Sequence, residues 1–418
     1  MTAALHTFAR RLSGLAFAAA LSLQPAHADF SVPGFELVHT APVETTLTSP
    51  DLREPAVVWR EMIDSAKSEI VFGEFYVAGP PGEALDGVLS SLEAAGKRGV
   101  KIRFLMEAKG RNLSEAATLE RLQKVPGIEY RTLDYSKITG NGIIHAKYFV
   151  VDGREAYVGS QNFDWRSLKH IHETGLRITD PAVVAETHAI FEQDWQAQAL
   201  VAEGKPVPTL SQPTEAFDIS RPVLLLSSPH AYNPPGVGDS ETVLPRLLAE
   251  AEHEVRIQLL DYAPLSYAAG KRPYYAVIDT AIRTAAARGV KIKLMVSNWN
   301  TEMPAVAYLK SLAVLPNVEV KIVTLPQPAS GFIPFGRVIH TKTMVIDNKL
   351  AWVGTSNWSG GYMDKSRNIE VVLRNEPMAR RVAALHEQVW SSNYAAPIDI
   401  NKIYPRPAKG SPAEAGKP

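Results

Sequence analysis

One helix–strand pattern occurs twice in the 418-residue chain, and this duplication limits the possible folds more than any other feature. In each copy a helical stretch reaches an Arg-Gly-Val sequence and is followed by an apolar strand. One further helix–strand unit precedes this stretch, and another follows it. The matching stretches are 63–77 with 248–262, 90–106 with 280–295, and 122–133 with 312–325. The sequence therefore predicts an α/β fold with two similar layered domains, each a mixed β-sheet flanked by helices.

A short motif, His-x-Lys followed by Asp five residues later, lies at the corresponding place of each half. Its members are His145, Lys147 and Asp152 in the first half, and His340, Lys342 and Asp347 in the second. About 0.1 accidental matches are expected in a chain of this composition, so two matches at equivalent places are not a coincidence. On an extended strand, residues two apart share a face, so each His and its Lys are predicted to point the same way. The Asp-Gly and Asp-Asn pairs predict tight turns and returning strands.

Further polar residues recur after both motifs. Asn162 and Asn357 each follow their histidine by 17 residues. A hydroxyl residue, Ser160 or Thr355, lies two positions before each asparagine. Farther along, acidic residues lie in strand-like surroundings 28 and 30 residues after the two histidines, at Glu173 and Glu370. Each half is therefore predicted to carry a hairpin with a polar cluster at one end.

Two such motifs in one chain resemble the phospholipase D superfamily, and the resemblance spans roughly residues 40–396. In finer detail, the sequences GSQNFDWRSL, IPFGRVIHTK and GTSNWSG resemble the animal lysosomal phospholipase-D-like proteins. Both 5′-exonuclease action on single strands and phosphatidyl transfer have been described in that branch. The resemblance implies two α/β halves joined face to face about a pseudo-twofold axis, with one active site between them. It also implies a two-step reaction through a phosphohistidine, without a metal or another cofactor.

The resemblance, together with phosphodiester chemistry, implies a role for each motif residue. His145 is expected to be the nucleophile and His340 the general acid–base. The two lysines, the two amides and the two hydroxyls of the motifs are expected to bind the non-bridging oxygens of the phosphate. These residues are Lys147, Lys342, Asn162, Asn357, Ser160 and Thr355. Glu173 and Glu370 are expected to hydrogen-bond the far ring nitrogens of the histidines. Asp152 and Asp347 are expected to be structural, and His172 to be uninvolved.

The N-terminus has the pattern of a cleavable export signal. Arg10 and Arg11 precede the apolar run 14–23, and Ala26-His27-Ala28 follows. A membrane anchor is the alternative, but the run is about half of the ~20 residues that a span needs. We expect cleavage after Ala28 and export to the periplasm or the medium.

Composition shifts suggest where the domains begin and end. The signal peptide, 1–28, would be followed by a first domain at 29–205. A linker rich in proline and polar residues is expected at 206–222, because such residues interrupt regular structure. A second domain at 223–396 and a flexible tail at 397–418 complete the expected division.

Cysteine content and charge exclude several classes of protein. The chain has no cysteine, which excludes disulfide scaffolds, thiolate metal sites and a cysteine nucleophile. Its 44 basic and 44 acidic residues balance, which argues against an extended footprint on duplex nucleic acid. A narrow groove for a single strand remains compatible with this charge.

We expect two loops of the second half, 264–275 and 326–337, to shape the substrate pocket, with packing of the domain as the alternative role for Phe332 and Phe335. They combine aromatic and cationic residues: Tyr267, Lys271, Arg272, Tyr274, Tyr275, Phe332 and Phe335. Such loops suit an acyl-chain pocket or peripheral membrane contact, and equally the stacking of bases from single-stranded DNA or RNA. The sequence favours a phospholipid substrate, with a 5′-exonuclease as the alternative and a non-catalytic binding protein ranked last. One chain carries both motifs, so a monomer is sufficient for one site.

Overall fold

The computed structural model describes residues 29–210, 217–266 and 272–414. The expected signal peptide at 1–28 lies outside the described residues, as do Tyr267 and Lys271 of the first substrate loop. Within the described ranges, no helix is both long and apolar enough to span a bilayer.

The first half alternates strands and helices from residue 31 to residue 202. Its strands are β1 (Ser31–Val32), β2 (Phe35–Thr40), β3 (Glu69–Glu74), β4 (Val77–Ala78), β5 (Lys101–Glu107), β6 (Ile128–Leu133), β7 (Tyr148–Val151), β8 (Glu155–Gly159), β9 (Phe163–Asp164) and β10 (Glu173–Ile178). Its helices are α1 (Pro55–Ser65), α2 (Asp86–Lys97), α3 (Ala116–Gln123), α4 (Ser136–Thr139) and α5 (Pro181–Ala202).

The second half repeats this order from residue 223. Its strands are β11 (Val223–Ser228), β12 (Gly238–Asp239), β13 (Glu254–Leu259), β14 (Tyr262–Ala263), β15 (Lys291–Ser297), β16 (Val318–Val323), β17 (Thr343–Ile346), β18 (Leu350–Gly354), β19 (Trp358–Ser359), β20 (Asn368–Leu373) and β21 (Ala395–Pro397). Its helices are α6 (Ser240–Ala249), α7 (Ala276–Ala287), α8 (Ala305–Ala313) and α9 (Glu376–Trp390). Described residues between α5 and β11, 203–210 and 217–222, lie outside helices and strands.

The two large sheets have the same topology. The order β2-β10-β8-β7-β3-β5-β6 in the first half corresponds to β11-β20-β18-β17-β13-β15-β16 in the second. In both sheets the last three strands are parallel, and the motif hairpin pairs antiparallel with the first of them. The predicted α/β fold, with two similar mixed sheets flanked by helices, is confirmed.

The repeated Arg-Gly-Val sequence ends a helix in both halves. Gly99 and Gly289 follow α2 and α7 with φ of +89° and +95°, a left-handed conformation that glycine adopts at little cost. The next amide, of Val100 or Val290, donates back to Ala95 or Ala285 at 3.1 and 3.2 Å. This Schellman geometry caps the helix and turns the chain into the parallel strand that follows.

The motif hairpins form as predicted, but the histidines and lysines lie just before their strands. Strand β7 begins at Tyr148 and β17 at Thr343, each pairing with its return strand. Asp152 and Asp347 begin the turns with positive φ, at 51° and 52°. The expectation that His145 and His340 lie within strands was therefore wrong. Each precedes its strand because its backbone pairs with the opposite half.

Three large apolar cores hold the layers together. One lies under α1 and α2 of the first half, and another under α6, α7 and α8 of the second. The third is built by both halves and contains Leu37, Val158 and Leu176 together with Val353 and Val371. Helices α5 and α9 also contribute to this shared core. The shared core places the inner ends of the two motif hairpins next to each other.

The C-terminal segment differs from the expected flexible tail. Residues 395–397 form β21 against β16, and the Ile398 amide donates to the Val320 carbonyl at 2.9 Å. Farther along, the Lys409 carbonyl accepts from the Phe335 amide at 2.6 Å, and the Lys409 ammonium lies 3.0 Å from Glu302. The composition of this segment does not reveal that it can pair with an edge strand.

Candidate active site

Each motif histidine is held by a backbone carbonyl of the opposite half. The amides of His145 and Ala146 donate to the Arg367 carbonyl at 2.9 and 2.8 Å. In the same way, the amides of His340 and Thr341 donate to the His172 carbonyl at 2.9 and 3.1 Å. Both motifs therefore meet at the junction of the two halves, where a single site combines them.

The two imidazoles have different partners, and each partner comes from the opposite half. Nδ1 of His340 lies 3.0 and 2.9 Å from the two carboxylate oxygens of Glu173. Nδ1 of His145 lies 3.0 Å from Oδ1 of Asn368. Glu173 and Asn368 each follow the histidine of their own half by 28 residues. The two positions are equivalent, but one supplies a carboxylate and the other a neutral amide.

The expectation that Glu370 orients a histidine was wrong. Its carboxylate accepts hydrogen bonds from the hydroxyls of Ser240 and Ser356 instead. Burial raises the pKa of Glu370 to about 7. Because side chains alternate along β20, Glu370 and Asn368 face the same side, but Asn368 is one step nearer to His145. The equal 28-residue spacing from the two histidines is the sequence signal that could have identified Asn368.

The amide orientation of Asn368 is fixed by its other contacts. Its Nδ2 donates to the Tyr362 carbonyl at 2.9 Å, and the Thr355 hydroxyl donates to its Oδ1 at 3.0 Å. Oδ1 therefore faces His145 and can only accept, so Nδ1 of His145 carries the proton. Nε2 is left with its lone pair, which is the form of imidazole that can attack phosphorus.

The two motif lysines are buried and close together. Each ammonium donates to the carbonyl of the histidine two residues before it. Burial and the charge of Lys342 hold the pKa of Lys147 well below its usual value. Burial lowers the pKa of Lys342 to about 7. A phosphodiester anion bound between the two amines favours their protonated form. The positive charges of the protonated lysines then stabilise the anion.

The site keeps both imidazoles in their neutral form. Burial lowers the pKa of His145 well below its usual value, and the charges of Lys147 and Lys342 add to this effect. The pKa of His340 is lowered by the same causes. Burial raises the pKa of Glu173 to about 8, so the carboxyl beside His340 retains affinity for a proton. The pair can exchange a proton with a substrate oxygen near neutral pH.

The two motif asparagines have unused hydrogen-bonding capacity. Asn162 and Asn357 are 6% and 1% exposed. Their Oδ1 atoms have no hydrogen-bond partner among the described residues. An amide oxygen can only accept, so the donors to the non-bridging oxygens of a phosphodiester are the Nδ2 groups of these two amides.

The motif hydroxyls are used differently from the expectation. Ser160 donates to the Thr174 carbonyl at 3.2 Å and accepts from the Thr174 amide at 3.0 Å. Thr355 donates to Asn368 and accepts from the Ile369 amide at 3.0 Å. Both hydroxyls therefore hold the strand that carries the histidine partner, and neither is positioned as a donor to phosphate.

The two motif aspartates hold the turns of the hairpins. Asp152 accepts from the backbone amides of Lys67, Ser68 and Glu69 at 2.7 to 2.9 Å. Asp347 accepts from the three equivalent amides, 252–254, at 2.7 to 2.9 Å. These backbone hydrogen bonds hold the pKa of Asp152 well below its usual value. The expected structural role agrees with this geometry.

His172 contributes more to the site than its sequence context indicated. Besides the carbonyl that holds the His340 segment, its ring contacts His39 at 3.1 Å, Gln258 at 3.1 Å and Thr341 at 3.2 Å. The contacts with Gln258 and Thr341 join the two halves directly behind the second motif. His172 and Arg367 each lie 27 residues after the histidine of their own half, so the repeat pairs them as well.

Aromatic side chains flank His145. The ring centroid of Tyr362 lies 4.6 Å from that of His145, and the centroid of Phe75 lies 5.6 Å from it. The Lys147 ammonium lies 5.5 Å from the centre of the Phe75 ring. Neither aromatic residue was identified from the sequence, because no motif residue lies beside them in the chain.

Comparisons with known proteins agree with this geometry. The family model described as "Cardiolipin synthase, PLD-like domain" matches residues 59–195 and 244–390. The chain belongs to the phospholipase D superfamily. It is 30% identical over 367 residues to Phospholipase D Z of Dictyostelium discoideum, covering 81% of this chain and 85% of that protein. It is also 30% identical over 408 residues to the 5′-3′ exonuclease PLD3 of Xenopus laevis, covering 86% and 80%.

A solved structure supports the superfamily fold. The phosphatidylserine synthase of Haemophilus influenzae matches with a TM-score of 0.54 at 12% identity, covering 82% of this chain and 85% of that one. As a member of the phospholipase D superfamily, this chain is a phosphodiesterase-type hydrolase. In the described part of the chain, no group of three or more His, Asp or Glu side chains could hold a metal ion.

Tyr274 and Tyr275 of the first substrate loop serve the packing of this superfamily member. Tyr275 is buried and donates to Glu241 at 2.7 Å. Tyr274 donates to Asp279 at 2.6 Å and stacks on Tyr308 with ring centroids 5.9 Å apart. These contacts give both tyrosines structural partners.

The second substrate loop reaches the surface next to the C-terminal segment. Phe335 is 50% exposed, and its ring lies 6.4 Å from that of Trp299 in a T-shaped contact. Phe332 is half-buried. This loop therefore offers an exposed aromatic residue to a substrate or a membrane.

Replacing Asn368 by Asp should shift the pH profile of this phospholipase D superfamily enzyme. A carboxylate in place of the amide favours the imidazolium form of His145, so the pKa of His145 rises. Because only neutral imidazole attacks phosphorus, the acidic limb of the pH profile should lie about one pH unit higher in the variant than in the wild type. The measurement is kcat/KM against pH for a soluble phosphodiester. An acidic limb at the same pH in both proteins would exclude a positioning role for Asn368 on His145.

Proposed function

We propose that this chain is an exported phosphodiesterase that hydrolyses or transfers the phosphatidyl group of phospholipids. The observation that carries the proposal is the unequal pairing of the two imidazoles, Asn368 on His145 and Glu173 on His340. Export is included because residues 10–28 have the sequence pattern of a cleavable signal. One chain supplies both histidines, so a monomer is sufficient.

His145 is the nucleophile in this proposal. Its Nε2 attacks phosphorus while the bond from phosphorus to the leaving oxygen breaks. The Nε2 proton of His340 passes to that oxygen while Nδ1 takes up the proton that the Glu173 carboxyl holds, so His340 stays neutral. Lys147 and Lys342 neutralise the non-bridging oxygens, with Asn162 and Asn357 as amide donors.

The second step reverses the proton transfer. Nε2 of His340 removes a proton from water, and the water oxygen attacks phosphorus. The phosphorus–nitrogen bond to His145 breaks, which restores the neutral imidazole. An alcohol in place of water gives transfer in place of hydrolysis. Nδ1 of His145 keeps its proton on Asn368 throughout, so the same lone pair is available for each cycle.

An exposed apolar surface supports a lipid substrate and peripheral contact with a membrane. Met303 and Ile403 are 73% and 93% exposed and line a groove of about 730 Å³. Lys310, Lys402 and Arg406 also line it, together with Glu302, which pairs with Arg406 at 3.3 Å. Apolar side chains surrounded by cations suit the interface of an anionic bilayer.

The alternative is a 5′-exonuclease on single-stranded DNA or RNA using the same site. The rings of Phe75 and Tyr362 beside His145 favour this alternative, because aromatic faces stack bases without regard to sequence. The similarity to a protein named 5′-3′ exonuclease PLD3 also supports it.

One paired assay distinguishes the two functions. The chain from residue 29 onward receives mixed phospholipid micelles or a 5′-hydroxyl single-stranded oligonucleotide, both in EDTA. A His145→Ala variant serves as the control for each substrate. We expect phosphatidic acid and free head group from the wild type, and none from the variant. Stepwise release of mononucleotides with intact phospholipid would instead establish the exonuclease.

A further inference from the structure

A buried acid that the proposed mechanism does not use lies beside the first motif lysine. Glu74 ends strand β3 and is 2% exposed. Strands β3 and β7 pair antiparallel with Gly73 opposite Tyr148, so Glu74 and Lys147 are the next pair in this register. Directly opposite residues of an antiparallel pair share a face of the sheet. The carboxyl and the amine therefore extend from neighbouring positions on the same face.

The backbone of Lys147 stays in register although it precedes β7. Its carbonyl accepts from the Gly159 amide at 3.2 Å, which continues the pairing of β7 with β8. The ammonium of Lys147 donates to the His145 carbonyl. These two contacts hold the backbone and the side chain of the lysine, so the sheet sets its position relative to Glu74.

One carboxyl oxygen of Glu74 is left without a hydrogen bond. Its Oε2 is buried and has no hydrogen-bond partner among the described residues. Burial raises the pKa of Glu74 well above its usual value, and the charge of Lys147 opposes this shift. The Glu74 charge also acts on two buried phenols that stay neutral, those of Tyr148 and Tyr157. Burial of an acid without hydrogen bonds destabilises a fold, so packing alone does not account for Glu74.

The charge of Lys147 depends on groups from both halves. Burial and the charge of Lys342 lower the pKa of Lys147, whereas the charges of Glu74 and Glu173 raise it. The two motif imidazoles also face the lysine pair, but their neutral form adds no charge. No ion pair joins Glu74 to Lys147 within the described residues, so the two charges interact through the protein interior.

The second half has no acid at the equivalent place. In the register of β13 with β17, Leu259 lies opposite Lys342. Burial lowers the pKa of Lys342 to about 7, and the charges of Glu173 and Asp261 limit this shift. Each motif lysine thus has one acid of its own half nearby, at positions that the repeat does not relate. The duplication of the chain therefore does not explain Glu74.

We propose that Glu74 is a positioning residue that keeps Lys147 charged for the substrate. As the pH rises, the first proton leaves the Glu74 carboxyl and not the Lys147 ammonium, because a carboxylate near an ammonium stabilises both charges. Lys147 then retains its charge and its N–H donors for the phosphoryl group over a wider pH range. The inference rests on the proposed role of Lys147 as a phosphate ligand. It applies equally to a phospholipid and to a nucleic-acid substrate.

The test measures kcat/KM and kcat against pH for bis-(p-nitrophenyl) phosphate, a soluble phosphodiester, in the wild type and in Glu74→Gln. Glutamine has the shape of the protonated acid but cannot ionise, so Lys147 becomes the group that loses the first proton. We expect equal kcat/KM at acidic pH and an alkaline limb about one pH unit lower in the variant. Above that limb, kcat/KM should be about tenfold lower than in the wild type. An unchanged alkaline limb would overturn the inference.

The difference between kcat/KM and kcat separates an effect on charge from a defect in structure. The pH dependence of kcat/KM reports the free enzyme, and that of kcat reports the complex. A bound phosphodiester anion itself holds the proton on Lys147, so the limb of kcat should move less than that of kcat/KM. An equal loss in both quantities at every pH would show a structural defect and would reject the proposed role of Glu74.

Three further variants complete the test. Glu129→Gln removes an exposed acid on β6 of the same sheet and should leave both pH profiles unchanged. Glu74→Leu introduces the residue type that the second half carries at 259, and it should reproduce the shift of Glu74→Gln. Lys147→Ala is expected to lower kcat/KM about 10²- to 10³-fold. Wild-type kcat/KM in Lys147→Ala would reject the role of the lysine itself. The expected loss there, with an unchanged limb in Glu74→Gln, would reject only the role of Glu74.

Discussion

Replacing His340 by alanine is expected to lower phosphodiester turnover by about 10²- to 10⁴-fold. The variant lacks the imidazole that protonates the leaving oxygen and later activates water. Glu173 cannot substitute for it, because its carboxylate lies behind the ring at Nδ1 and not at the substrate. Steady-state hydrolysis of a phospholipid measures this loss.

The same variant should also trap the covalent intermediate. A p-nitrophenyl phosphodiester has a leaving group that departs without an acid, so the first step proceeds while hydrolysis of the intermediate is blocked. We expect a phosphoryl adduct on the peptide that contains His145, identified by mass spectrometry at neutral or alkaline pH. His145→Ala, the control, should form no adduct. An adduct on His340 in that control would reverse the roles of the two histidines.

Replacing Asp194 by asparagine is expected to lower the free energy of unfolding by about 3–5 kcal/mol. Asp194 on α5 pairs with Arg367 at 2.8 Å, with side chains 2% and 0% exposed. Loss of the carboxylate leaves a guanidinium buried without its counter-ion. Because the Arg367 carbonyl holds the His145 segment, kcat should fall as well. Urea denaturation and initial rates measure the two effects.

Glu192→Gln is the matched control for this prediction. Glu192 lies on the same helix and pairs with Arg103, but the two side chains are 34% and 18% exposed. A partly solvated pair contributes about 0–1 kcal/mol. If Asp194→Asn, like Glu192→Gln, lowered the free energy of unfolding by only about 0–1 kcal/mol, the buried pair would not be what stabilises the junction of the halves.

The features that repeat along the chain could be predicted from the sequence. Helix ends at Gly99 and Gly289 follow from a backbone conformation that glycine adopts at little cost. The motif hairpins follow from short apolar runs on either side of the turn pairs. The polar cluster at each hairpin end follows from spacing alone. These features are local, so the information that determines them lies within a few residues.

Contacts that cross between the halves could not be predicted in the same way. Glu370 was expected to orient a histidine because a carboxylate is the usual partner of an imidazole. Position along β20 decides which residue contacts His145, and that position depends on how the two halves dock. The pairing of Ile398 with Val320 could not be predicted either, because an edge strand can pair with many different sequences.

Each motif is held in place by the opposite half, so catalysis should not require an unbroken chain between the two halves. Both the backbone and the ring of each histidine are fixed by the opposite half, and the connection at 203–222 supplies none of these contacts. Fragments ending and beginning there should restore catalysis when mixed, by complementation, with a rate of recovery that depends on the concentration of both. A circular permutant opened at the same place should retain the site, provided that its original ends are joined by a linker long enough to reach.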